Sequence, residues 1–395
     1  MGQSITKNNR RKHSNSYPGT DRTSDRKTTD IDLQPTRVSS TTDMLQYEPP
    51  YVEKGDLHHN EPYVDLNEFR TPEILFFFDK DSKRICIFDC NTQKWKNQDV
   101  SEACFDNETE MMISDKTQFI EEITADCQNY SMIAVNRHTI HIVGKYHIIY
   151  DIPQHKLTLQ AILFPAIDNP CLSFHNSLVF ALSGRKDKEY TTFCRVFDTE
   201  DGTWSSLPDL PHSHAYGSAI CFTDNQNKAK LMVVGGFESR VPVMYNQKVN
   251  VMDLKEQVWQ THIFTADNGI PVFLEAPMIQ SPGGSIFILG SRDGGYYKFD
   301  FQRNKYIFAG HMIGHSARNR RKSVSCSLNN NNEVFFLADP RVLQKNLRTN
   351  RVMDTESEAS PVLASPQLDE DATYCIAHFK LGSDPSSSFL SDLPY

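Results

Sequence analysis

Short apolar runs separated by polar stretches recur along most of the chain: ILFFF (74–78), IHIVG (140–144), LVFALSG (178–184), LMVVGG (231–236), SIFILG (285–290) and VFFLA (334–338). Runs of this length, rich in Val, Ile and Phe and several ending in glycine, predict buried strands followed by turns. Each is followed by a second short apolar run that ends in aspartate. Ahead of some lies a strand of small residues, as in AYGSAICF (215–222) and KSVSCSL (322–328).

The aspartates carry a spacing. Asp89 precedes Trp95 by six positions, and the same interval separates Asp151 from Leu157, Asp198 from Trp204, Asp253 from Trp259 and Asp300 from Tyr306; Asp354, with Ser360 at the aromatic position, is a weaker sixth copy. By subtraction the aspartates lie 62, 47, 55, 47 and 54 residues apart. A period near fifty marks a repeated supersecondary unit of about four strands. The short carboxylate is expected to accept hydrogen bonds from amides ahead of it and hold a tight turn, and the aromatic to cover the gap to the next unit.

The stretch FCRVFDTEDGTWSSLPDLPHSH and the following LMVVGG resemble the kelch repeat family. The matching residues are Gly184, Asp198, Trp204, Leu207, Pro208 and Pro211 in one copy and Gly235, Gly236, Asp253 and Trp259 in the next. The resemblance spans about residues 68–382, strong in two copies and degenerate in the others. It implies a β-propeller whose loops bind other proteins around a central channel. The fold expected is all-β, a six-bladed kelch-type β-propeller over 66–382, with a disordered N-terminal tail (1–65) and a C-terminal tail (383–395). The strand-like DATYCIAHFK (371–380) is expected to complete the first blade and join the chain ends.

Charge refines the picture. The chain has 41 basic and 50 acidic side chains, a net charge of −9. Residues 1–27 hold seven Lys/Arg against two Asp, which leaves 34 against 48, or −14, for the remainder. So acidic a body argues against nucleic-acid binding. The nine cysteines are odd in number and form no CxxC, so neither a disulfide framework nor a zinc site is indicated. No apolar run reaches the length of a membrane span and the first residues lack an apolar centre, which points to the cytoplasm.

The loops after the second strand of each blade are expected on one rim. They bring Arg185, Arg240, Arg292, Arg341 and Arg348, with Arg318 and Arg320 from HSARNRRKS, and Tyr190, Tyr245, Tyr296 and Tyr297 between them. Arginine forks beside aromatics suit an acidic or phosphorylated protein partner. An enzyme acting on a sugar or small acid in the channel is the alternative, with Glu275, Asp293 and His315 as channel candidates. No nucleophile elbow, P-loop or HExxH is present. His138 and His141 should face opposite ways along a strand, and His212 and His214 lack an evident third ligand, so no metal or other cofactor is called for.

The N-terminus adds a second signal. Gly2 and Thr6 fit M-G-x-x-x-[ST] for N-myristoylation, and Lys7, Arg10, Arg11 and Lys12 follow directly. A chain plus a basic cluster anchors a protein to an anionic membrane face where one chain alone is marginal. Ser4, Ser14 and Ser16 are expected switch positions beside the cluster. A short motif is duplicated as EPPYV (48–52) and EPYV (61–64). The tail is too polar for a folded ubiquitin-ligase adaptor domain; recruitment to a ligase through a separate protein is a third reading. The reading expected is a non-enzymatic scaffold, membrane-tethered, that binds protein through its rim.

Overall fold

The computed structural model describes residues 73–79, 83–113, 115–160, 166–281, 283–292, 294–312, 327–328, 333–338 and 375–380. The described chain is mostly strand, arranged as a propeller of small sheets. The first sheet is a meander of β1 (Ile74–Asp79), β2 (Arg84–Asp89) and β3 (Lys94–Asp99). The second begins with β4 (Cys104–Phe105) and is completed, after a helical insertion, by β5 (Ser131–Ala134), β6 (Thr139–Val143), β7 (His147–Asp151) and β8 (Lys156–Leu159). In it β4 pairs parallel with β8, adding a fifth strand at the outer edge.

The third sheet contains β9 (Cys171–His175) and β10 (Leu178–Leu182), then, past a small hairpin of β11 (Arg185–Lys186) and β12 (Glu189–Tyr190), β13 (Cys194–Asp198) and β14 (Thr203–Leu207). The fourth repeats this plan: β15 (Ser218–Thr223) and β16 (Ala229–Val234), the hairpin β17 (Phe237–Arg240) and β18 (Val243–Tyr245), then β19 (Lys248–Asp253) and β20 (Val258–Ile263). The fifth is β21 (Met278–Gln280), β22 (Ile286–Leu289), β23 (Gly295–Asp300) and β24 (Lys305–His311).

Among the described residues these are five blades, not the expected six. The region expected to supply another gives a three-stranded sheet of β25 (Ser327–Leu328), β26 (Glu333–Ala338) and β27 (Cys375–Lys380). The C-terminal strand also differs from expectation: β27 pairs with β26, from Glu333↔Lys380 to Ala338↔Cys375, and not with β1. It takes the third-strand position that the Asp354 copy was expected to fill; Asp354 itself lies outside the described residues. Contact with the first blade is made by side-chain packing, Phe335 of β26 against Phe88 at 6.2 Å between ring centroids.

The core lies between sheets. Ile74 and Phe76 of β1 face a cluster shared with the second sheet, while Leu75 and Phe77 face the opposite way into one that includes Phe335. Further clusters join the third sheet to the fourth and the fourth to the fifth. A strand buried on both faces reads as a continuous apolar run, which is why ILFFF and LVFAL show no alternation.

The aspartate spacing has a local cause. Asp89 Oδ1 accepts from the amides of Asn91 and Thr92, both at 2.9 Å; Asp198 does so from Glu200 and Asp201, and Asp253 from Lys255 and Glu256. Asp151 accepts from Gln154 and Asp300 from Arg303. The fourth residue after each aspartate is left-handed: Gln93, His155, Gly202, Gln257 and Asn304, with φ between 48° and 68°. Pairing then resumes at the fifth, as in Asp89↔Lys94, so the sixth residue lies opposite the one before the aspartate. The resulting cross-strand pairs are Phe88↔Trp95, Tyr150↔Leu157, Phe197↔Trp204, Met252↔Trp259 and Phe299↔Tyr306.

The helical insertion was not anticipated. It consists of α1 (Asn107–Met112), capped by Asp106, and α2 (Lys116–Ala125), capped by Asp115. Phe119, Ile120 and Ile123 of α2 pack into the cluster between the first two blades. Aspartate caps followed by apolar residues four apart were the signal available in the sequence.

Candidate functional site

Two hairpins, β11–β12 and β17–β18, project after the second strands of the third and fourth blades, and they brace each other. Tyr190 stacks on Phe237 at 6.0 Å, Phe237 stacks on Tyr245 at 5.1 Å, and Arg240 Nη1 donates to the carbonyl of Lys188 at 3.3 Å. The hairpins follow glycines that nothing else can replace without displacement. A Cβ on Gly235 would lie 2.5 Å from the carbonyl oxygen of Phe273, and one on Gly236 2.6 Å from that of Ala215; both have positive φ.

Beneath the second hairpin is a buried polar network. His214 Nδ1 donates to the carbonyl of Gly235 at 2.8 Å, so its Nε2 carries the lone pair that accepts from Asn250 Nδ2 at 2.8 Å and Asn246 Nδ2 at 3.2 Å. Asn246 also donates through Nδ2 to the carbonyl of Ser213 and through its amide to that of Gly236. Full burial pushes the His214 imidazole down to about 4, consistent with this neutral tautomer. His212 lies apart, beside Lys248 Nζ at 3.1 Å and Glu238 at 3.4 Å. His212 and His214 therefore do not converge as chelators. The contact of Lys248 with Glu238 holds the Glu238 carboxyl below its usual range.

The rim candidates separate into three groups. Arg240 and Arg292 are exposed and Tyr245 is half-buried, so these three remain surface groups. Arg185 is already engaged: its Nη2 contacts Asp168 Oδ2 at 2.9 Å and Asn129 Oδ1 at 3.1 Å, and its Nη1 reaches Tyr216 Oη at 3.4 Å. Tyr296 and Tyr297, 7% and 8% exposed, belong to the interior; Tyr297 packs on Phe273 and Tyr306. Both were expected on the surface. They fall on β23 (Gly295–Asp300) and not on the loop before it, and because successive residues of a strand point to opposite faces, the burial of both means that β23 is covered on both sides. Arg318, Arg320, Arg341, Arg348, Gly2, Asp293 and His315 lie outside the described residues.

Arg185 is part of a second feature that the sequence did not reveal. Asn169, Tyr216 and Glu275 precede the inner strands β9, β15 and β21, and all three are left-handed, with φ of 54°, 61° and 50°. Their backbones are tied across blades: Asn169 donates to the carbonyl of Asn129 and Glu275 to that of Tyr216. A bulky residue such as Tyr216 adopts this conformation only under tertiary constraint. The repeat aromatics also link blades: Trp259 Nε1 donates to the carbonyl of Pro208 at 2.8 Å, and Trp204 packs on His147 at 5.1 Å. His147 Nε2 lies 2.9 Å from Nδ1 of His141, a buried pair that burial keeps neutral.

The fold defines a β-propeller. No family model and no curated protein matches the chain. Among solved structures the chain is similar to one described as "Structure of YjhT", with 13% identity, covering 56% of this chain and 76% of that one at a TM-score of 0.40. No helix among the described residues is long and apolar enough to cross a membrane.

Proposed function

We propose that this protein is a kelch-type interaction propeller, a non-enzymatic scaffold that captures an acidic or phosphorylated protein partner on the rim carrying the two hairpins. The observation that carries the reading is the braced hairpin pair, in which Arg240 stands exposed beside the Tyr190–Phe237–Tyr245 stack. An exposed guanidinium beside half-buried aromatic rings can pair with a carboxylate or phosphate while the rings cover apolar neighbours. Arg185 takes a supporting part, since its Asp168 partner offsets its charge. The N-terminal Gly2 and basic cluster support tethering to the cytoplasmic face of a membrane.

Proximity labelling and membrane fractionation of the wild type, Gly2→Ala and the double variant Arg240→Glu/Arg292→Glu test both halves. Loss of specific protein neighbours in the arginine variant is the expected outcome for the rim. Release of Gly2→Ala from membranes is the expected outcome for the tether. An unchanged neighbour set in the arginine variant defeats the scaffold reading.

A further inference from the structure

We propose that the tip of the β17–β18 hairpin is a membrane-contacting loop that enters the headgroup region of an anionic bilayer. This goes beyond the scaffold reading and rests on the tether only for its second anchor. At the turn and the start of β18, Val241, Val243 and Met244 are 85%, 64% and 49% exposed, and Pro242 of the turn and Arg240 at the end of β17 are exposed with them. Elsewhere in the described residues the exposed large apolar side chains fall on helix α1 or along the sheets, as Met111 and Met112, Val258 and Ile263, and Ile307 and Phe308, or, as Phe301, in a turn where the ring stacks on Phe222 and Phe299. Here they form the end of a projecting hairpin.

The hairpin is held out from below. Its base is tied to the His214–Asn246–Gly236 network, and its flank is braced by Tyr190 and Lys188 of the neighbouring hairpin. A pre-ordered convex knob of three aliphatic side chains suits insertion among lipid headgroups, with little ordering left to lose on contact. Behind it come half-buried aromatics, Tyr245 and Tyr190, the residue type favoured at the level of the headgroups. Arg240 and Lys188 supply cationic groups for an anionic leaflet.

Asp187 and Glu189 share the neighbouring hairpin and are also exposed, so the attractive surface is confined to the tip. A contact this small is weak alone. It would add to an N-terminus whose acylation motif and basic cluster are themselves suited to an anionic membrane face.

The test is sedimentation of the full chain, with and without N-terminal acylation, on neutral phosphatidylcholine vesicles and on vesicles that also contain phosphatidylserine. Val241→Asp/Val243→Asp should weaken binding about tenfold or more, since it replaces by charge the aliphatic surface that insertion would bury. Arg240→Glu should weaken binding only where phosphatidylserine is present. In a Val243→Trp variant, the indole emission should shift to the blue and be quenched by brominated lipid. Thermal melts establish that each variant is folded. Equal sedimentation of the aspartate variant and the wild type, or an indole untouched by brominated lipid, overturns the proposal. So does loss of a protein neighbour with vesicle binding unchanged, which makes the knob a protein contact. If acylation proves irrelevant while the aspartate variant loses binding, the tether reading fails and the hairpin contact stands.

Discussion

Asp253 shows what a repeat aspartate does at the scale of one residue. One carboxylate oxygen accepts the amides of Lys255 and Glu256, and the other receives Lys230 Nζ at 2.7 Å. Partial burial works against ionisation, but the Lys230 contact and the two amides outweigh it and hold the carboxyl below its usual range. Asp253→Ala should therefore cost about 1–2 kcal/mol in urea unfolding, because two turn amides lose their acceptor. Four residues on, Gln257 is left-handed where the third blade has Gly202. Gln257→Gly should stabilise the protein by up to about 1 kcal/mol, since glycine adopts this conformation without the Cβ clash. A destabilised Gln257→Gly would mean that the glutamine side chain supports the turn in some other way. The capping of the turn amides by the aspartate was legible in the sequence, because it involves only near neighbours; the Lys230 contact, 23 positions away, was not.

At the scale of elements, the hairpin β17–β18 depends on residues far from it in sequence. Asn246 fastens it to Ser213 and Gly236, and His214 fastens the glycine turn. Asn246→Ala should leave the propeller folded but speed amide hydrogen exchange in residues 237–245 selectively; uniform acceleration across the fourth blade would contradict this role. The sequence placed a loop here and named Arg240 and Tyr245 within it. It gave no sign that Arg185 would be neutralised, because its partners Asp168, Asn129 and Tyr216 come from three segments separate in sequence. Tyr296 and Tyr297 were misplaced for a related reason: where a strand starts, to within two residues, decides whether a tyrosine faces a partner or the core, and periodicity is least informative at boundaries.

At the scale of the whole molecule, neutral histidines buried between and within blades make stability depend on pH. Burial lowers His141 and His214 to about 4 and also depresses His147 and His175. Unfolded histidines take up protons near pH 6.5, whereas folded His141 and His214 do not until about 4, with His147 and His175 shifted in the same direction. The folded state is therefore fully favoured above pH 6.5 and loses stability as pH falls from there toward 4. His141 and His214 each contribute up to about 1.4 kcal/mol per pH unit within that window. Urea midpoints measured between pH 7.5 and 4.5 should fall accordingly, and a flat profile would show that these histidines take up protons in the fold as readily as in the unfolded chain.

The sequence by itself determined the repeat, the strand-rich propeller class and the chemistry of each turn, since these follow from hydrophobic runs and contacts between near neighbours. Tertiary structure decided which strand completes which sheet: β27 joins β26 across a separation that no local pattern encodes, and the first blade meets that sheet through Phe88 and Phe335. It likewise decided which arginines are neutralised and which tyrosines are buried. Those outcomes depend on groups that approach only when blades pack, and a side chain's charge and exposure are properties of that packing.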